Sequence, residues 1–117
     1  MTFIRTAAGV LVGLLATASP VLGQSTRVDV QGGTLSIETI ETGLVNPWGL
    51  AFLPDGRMLV TERPGRLRVI ALDGSMSKAL EGLPEIFAQG QGGLLDVAAS
   101  PDFAETGWVY VSYAEPG

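Results

Sequence analysis

What most restricts this chain is a pattern that occurs twice. Leu95-Asp96-Val97-Ala98-Ala99-Ser100-Pro101-Asp102 echoes Gly49-Leu50-Ala51-Phe52-Leu53-Pro54-Asp55, and Pro101 follows Pro54 by 47 positions. After each Pro-Asp pair comes a run that reads as a strand, Arg57 to Glu62 in the first copy and Trp108 to Tyr113 in the second. In the second copy a longer turn through Phe103-Ala104-Glu105-Thr106-Gly107 intervenes. A unit of four short strands repeating every ~40–50 residues is the mark of a propeller blade. The competing reading is two unrelated hairpins that share a common turn tripeptide.

Local patterning agrees with strands. From Val28 onward apolar residues favour period two, with Leu35, Ile37 and Thr39 on one face and Ser36, Glu38 and Ile40 on the other. The apolar run Leu50-Ala51-Phe52-Leu53 is closed by Pro54-Asp55-Gly56, where Pro presets its own φ and Gly accepts a positive one. Met58-Leu59-Val60-Thr61 then starts a second strand. Pro64-Gly65 makes another tight turn, after which Leu67, Val69 and Ala71 alternate with Arg66, Arg68 and Ile70. Three antiparallel strands joined by short turns form a meander.

The expected fold is therefore all-β, a β-propeller with about two blades present. Blades bury their faces only against neighbouring blades, and a closed propeller needs at least four of them. Two alone leave apolar sheet faces open, so the turn Glu115-Pro116-Gly117 reads as a truncation point.

The first residues read as an address. Arg5 supplies a positive start, and Ala7 to Thr17 is an apolar run too short to make a stable span. Ser19-Pro20 ends it, and Val21-Leu22-Gly23 offers a cleavage site before Gln24. Residues 1–23 are expected to be a secretory signal peptide, with an uncut membrane anchor as the alternative, and residues 24–117 the propeller portion. That places the mature protein in the periplasm or outside the cell, with no stable membrane span after cleavage.

Composition excludes several chemistries. The sequence has no cysteine and no histidine, so disulfides, thiolate chemistry and the commonest neutral-pH proton shuttle are absent. A net charge of −5 argues against nucleic acid, which needs clustered Lys and Arg.

The most unusual local composition is Gln89-Gly90-Gln91-Gly92-Gly93, which opens directly into Leu94-Leu95. Glycines let the backbone bend and a ligand approach, while the two amides donate and accept hydrogen bonds. It is no phosphate loop, because it lacks the lysine and the following helix. A flexible connector is the plainer reading of such a loop taken alone.

Several motifs in register are more specific than any one. Asn46-Pro47-Trp48-Gly49-Leu50-Ala51-Phe52-Leu53-Pro54-Asp55-Gly56, followed by Leu59-Val60-Thr61-Glu62-Arg63, resembles the opening blade of the soluble aldose sugar dehydrogenases that use pyrroloquinoline quinone (PQQ), the glucose/sorbosone dehydrogenase family. Leu83-Pro84-Glu85, Gly90-Gln91-Gly92-Gly93-Leu94-Leu95, Ser100-Pro101-Asp102-Phe103 and the Trp108 to Tyr113 strand resemble its next blade in the same order. The resemblance implies a six-bladed propeller that oxidises aldoses to lactones. PQQ would lie near the central channel, calcium ions would assist, and an external electron acceptor would complete the cycle.

Carried over residue by residue, only Gln91 gains a role, as a supporting hydrogen-bond donor in the cofactor and substrate pocket. Its alternative is tying down its own loop. The family's general base is a histidine from a later blade and is missing here, so this chain is expected to be inactive alone. The PQQ-site calcium ligands also belong to later blades, and no residue here is assigned to a metal. Gly90, Gly92 and Gly93 are expected to shape the approach.

Other polar residues have quieter expectations. Arg63, Arg66 and Arg68 read as solvated strand positions, and Glu62 as a blade-edge partner of Arg63 or Arg68. Asp55 and Asp102 sit at equivalent turns, where their side chains satisfy backbone amides. Glu85 and Asp96 are not paired as acid and base. Trp48 and Trp108 are expected to fill spaces between blades. Two rival functions remain, a propeller that binds carbohydrate or protein without catalysis and a propeller lactonase with calcium-centred carboxylates.

Overall fold

The computed structural model describes residues 25–117, so the expected leader at residues 1–23 lies outside the described residues. Along the chain come strands β1 Ser25–Val30, β2 Gly33–Glu38, β3 Pro47–Phe52, β4 Met58–Glu62, β5 Arg66–Ile70 and β6 Leu94–Ala99. A single helical turn, α1 Phe103–Thr106, and β7 Val109–Tyr113 complete it. All the strand pairings are antiparallel.

β1 and β2 form a hairpin with Ser25 opposite Glu38 and Val30 opposite Gly33. One strand was expected from Val28 onward; Gly32, with φ of 100°, reverses the chain and makes two. Val28, Val30, Leu35 and Ile37 are all exposed, so this hairpin buries neither face among the described residues.

The first blade is the expected meander β3-β4-β5. Its turns use Gly56 at φ 87° and Gly65 at φ 113°, angles that other residues rarely adopt. Asp55 holds the first turn as expected, accepting the Arg57 N–H at 3.1 Å, and it also accepts Arg57 Nε at 2.7 Å. A fourth, irregular ribbon lies outside β5: Ile70 bridges Met76, Ser77 N–H donates to Val69 O at 2.9 Å, and Leu80 N–H donates to Leu67 O at 2.9 Å.

The repeat holds at the level of hydrogen bonds. β3 and β6 are displaced by 47 residues at both ends, and each breaks register at the same place, between Pro47 and Leu50 and between Leu94 and Val97. β7 begins four residues later than the repeat would put it, and the four residues of α1 absorb that insertion. Each irregularity strands a backbone N–H, and the next strand answers it with a hydroxyl. Gly49 N–H donates to Thr61 Oγ1 at 2.8 Å in the first blade, and Asp96 N–H donates to Ser112 Oγ at 2.9 Å in the second.

Strand alternation sends Leu53, Leu59 and Leu67 to one face of the first blade, where they meet Leu94 and Val97 of the second. Ala99, Val109, Val111 and Phe103 pack around this seam. β3 approaches β6 so closely that a Cβ on Gly49 would lie 3.0 Å from Asp96 Cα and from Leu95 O. Thr61, fully buried, closes the gap by donating its hydroxyl proton to Leu95 O.

The outward faces are open. Trp48, Leu50 and Phe52 are 56%, 51% and 69% exposed on one side, and Trp108 and Tyr110 are 63% and 55% exposed on the other. Neither tryptophan lies in the seam between these two blades; both sit on the outward faces. At Gly49 the strands leave no room for an indole, so aliphatic and small residues fill the seam instead.

Replacing Thr61 by Val keeps the shape but leaves the Gly49 N–H and Leu95 O without partners. A loss of about 2–4 kcal/mol is expected, read as a lower denaturation midpoint, whereas Thr61→Ser should retain most of the stability.

Candidate functional site

The end of β4 carries three consecutive residues with separate tasks: Thr61, Glu62 and Arg63. Alternation points Thr61 toward the second blade and Glu62 to the opposite face.

Glu62 is fully buried, and of its two expected partners it pairs with Arg68 and not with Arg63. Its Oε2 accepts Arg66 Nε at 2.6 Å and Arg68 Nε at 2.9 Å, and its Oε1 accepts the Val45 N–H at 2.6 Å. Arg63 is not among them, because adjacent strand residues face opposite ways, whereas Arg66 lies directly across the ladder from Glu62. Arg66 and Arg68 are not free solvated positions either; their side chains are 35% and 19% exposed. The Arg66 hydrogen bond holds the Glu62 carboxyl down to about 2, against the opposing effect of burial and with help from the Val45 N–H and Arg68.

Arg63 was also expected to be solvated, and it too is engaged. Its Nη1 donates to Gly90 O at 2.8 Å and to Gly92 O at 3.0 Å, the carbonyls on either side of Gln91. Among the described residues no carboxylate pairs with Arg63. Backbone bonds add to the seam: Leu94 N–H donates to Arg63 O at 3.0 Å, and within the turn Gly92 N–H donates to Gln89 O at 2.8 Å.

These contacts explain the glycines differently from the sequence reading. A Cβ on Gly93 would lie 2.4 Å from Arg63 Cγ and 2.6 Å from Arg63 O, and one on Gly92 would lie 2.6 Å from Phe87 O. At these two positions glycine is required by the protein's own backbone and by Arg63. Around Gly90 a Cβ would meet nothing within 4 Å.

Gln91 itself is exposed, and its side-chain amide takes no hydrogen bond from the described residues. Arg63, and not Gln91, is what ties this turn down. A concavity of about 370 Å³ lies elsewhere, on the open face of the first blade, between Ile40 and Leu44 on one side and Trp48, Leu50, Val60 and Ile70 on the other. Its lining is mostly apolar sheet surface, which fits an uncovered blade face better than a chemical site.

The remaining polar groups stay apart. Asp96 Oδ1 accepts the N–H of Val97 at 2.9 Å, and Glu85 is exposed. Asp102 differs from Asp55: its carboxylate is bonded by the hydroxyls of Ser100 and Thr106, and no backbone amide caps onto it. The Ser100 hydroxyl holds the Asp102 carboxyl below its ordinary range. Among the described residues no three acidic, His or Cys side chains come together as metal ligands would. No helix there is long and apolar enough to cross a membrane.

The family described as glucose/sorbosone dehydrogenase matches residues 44–117. Over 99 residues the chain is 41% identical to an aldose sugar dehydrogenase of Escherichia coli (strain K12), covering 84% of this chain and 27% of that protein. The apo-form crystal structure of the soluble aldose sugar dehydrogenase from Escherichia coli superposes with a TM-score of 0.65 at 46% identity, covering 68% of this chain and 23% of that one. The PQQ-bound aldose sugar dehydrogenase from Streptomyces coelicolor gives 0.62 at 32% identity, covering 82% and 27%. This chain thus spans roughly a quarter of the length of these relatives. The all-β architecture is that of a propeller, with about two blades described here.

Two outcomes test this geometry. Because Glu62 titrates lower in the folded state than its ordinary 4.5, its contribution is complete above that pH and is lost as pH falls toward 2. Glu62→Gln should remove about 3 kcal/mol at pH 7 and flatten the acid limb of a stability–pH curve. Gly93→Ala should destabilise the seam by about 1–3 kcal/mol in a thermal melt, since the added methyl meets backbone.

Proposed function

The chain belongs to the glucose/sorbosone dehydrogenase family, and we propose on that premise that it supplies the first two blades of a PQQ-dependent enzyme that oxidises aldoses to lactones. When bound, PQQ supplies the quinone that accepts hydride from the sugar. An external electron acceptor would complete the cycle. The full protein is exported to the periplasm or beyond, after removal of residues 1–23.

The observation that carries the reading is the Gln89–Gly93 turn, held by the neighbouring blade with an exposed primary amide at its tip. Gln91 offers an N–H donor and a carbonyl acceptor on one planar group, which suits oxygen-rich ligands such as a quinone carboxylate or a sugar hydroxyl. A side chain with no internal partner keeps both for a ligand. Its role is orientation and not proton transfer, because an amide does not titrate near neutral pH.

The proton of the anomeric hydroxyl needs a base, which in this reading is a histidine outside this sequence, since the 117 residues contain none. Calcium, which the reading also includes, takes its ligands from beyond these residues.

The full-length protein supplied with PQQ, calcium, an aldose and an artificial electron-accepting dye should reduce the dye, while residues 24–117 alone should not. Gln91→Ala in the full-length protein should lower kcat/KM about tenfold or more, the cost of one lost ligand hydrogen bond. Turnover by the short chain, or a Gln91→Ala variant with unchanged kinetics and unchanged PQQ affinity, would refute the assignment.

A further inference from the structure

The two blades share a backbone plan, and the side chain just past β4 departs from it. Arg63 N–H donates to Asn46 O at 2.9 Å, and the corresponding bond of the second blade runs from Ala114 N–H to Gly93 O at 3.0 Å. The hydroxyl that answers each strand irregularity is likewise present twice, as Thr61 and Ser112. Where the first blade has Arg63, however, the second has Ala114. Blade architecture is therefore built without a guanidinium at this position, and the one that is present has another task.

Its reach shows the task. Nη1 crosses the seam to carbonyls 27 and 29 residues away and bonds both, one just before Gln91 and one just after it. The bond to Gly90 O fixes the peptide plane that leads into Gln91; the plane that leads out of it is held by the Gly92 N–H, which donates to Gln89 O at 2.8 Å, and the bond to Gly92 O restrains the following peptide, so the backbone on both sides of Gln91 is set. Arg63 has no carboxylate partner among the described residues to compete for that nitrogen. Gly93, lacking a Cβ, leaves the passage through which the Arg63 stem runs, since a methyl there would sit 2.4 Å from Arg63 Cγ.

We propose that Arg63 is a positioning residue for the reaction: it touches no ligand itself but holds the turn so that Gln91 is presented to the pocket already oriented. This rests on Gln91 being a pocket residue, as proposed above. A charge-assisted pair of bonds to neutral carbonyls is strong enough to select one turn conformation over its alternatives. Its removal should act on ligand binding and orientation and leave the sheets intact.

The test uses the full-length enzyme with Arg63→Met, which keeps the stem length and removes the donors, beside Arg63→Lys and Gln91→Ala. Amide exchange is followed in peptides spanning residues 88–93 and in peptides from β4 and β5, with KM for the sugar, PQQ affinity and kcat measured on the same samples. Arg63→Met should speed exchange in the turn about tenfold, leave β4 and β5 unchanged, and weaken PQQ or sugar binding by a similar factor. Arg63→Lys should recover part of both losses. Unchanged exchange in the turn, or equal acceleration in the strands, overturns the proposal. A loosened turn with wild-type binding and kcat, beside an impaired Gln91→Ala, overturns the positioning role alone. If Gln91→Ala is itself silent, the pocket reading fails, and the positioning role fails with it.

Discussion

Two backbones crossing at near-contact distance set the terms for the rest of the molecule. Where β3 passes β6 at Gly49 and Asp96, no side chain fits between them, and both strands are irregular there. An irregular strand leaves polar backbone groups unpaired, and burial makes that costly. The Thr61 hydroxyl meets both demands at once, accepting from Gly49 within its blade and donating to Leu95 across the seam. The aliphatic cluster of Leu53, Leu59, Leu67, Leu94 and Val97 packs in the space that this crossing defines.

That crossing also decides what the end of β4 can do. Successive residues point to opposite faces, so Thr61 and Arg63 address the second blade while Glu62 addresses the outer face. Buried there, the Glu62 carboxylate is tolerable only because two guanidinium groups and a backbone N–H satisfy it. Arg63, on the seam side, reaches the glycine turn. One short strand thus joins the two blades, neutralises a buried charge and anchors the turn that carries Gln91.

Much of this was legible in the residues. The repeated Pro-Asp turns and their spacing anticipated the two blades, and Pro54-Asp55-Gly56 and Pro64-Gly65 anticipated the meander, because turn chemistry is local. The hairpin of β1 and β2 was read as one strand, although Gln31-Gly32-Gly33 is a turn signal in its own right. Of the two arginines expected to pair with Glu62, Arg68 does so and Arg63 does not, while Arg66 was missed. The short turn at Pro64-Gly65 already implies that Glu62 faces Arg66, so the signal was present and needed only the register. The tryptophans, expected in spaces between blades, lie outside the seam of these two, which closes to backbone contact at Gly49.

By itself the sequence determined the all-β class, the repeat and the turns, and it singled out the Gly/Gln segment by its composition. Each of these follows from residues a few positions apart, where periodicity and allowed φ angles act directly. Only the tertiary structure decided that Gly92 and Gly93 make room for the protein's own chain, and that Arg63 grips the turn from the neighbouring blade. Those facts depend on segments nearly thirty residues apart meeting in one register, which no local pattern specifies and which close packing alone enforces.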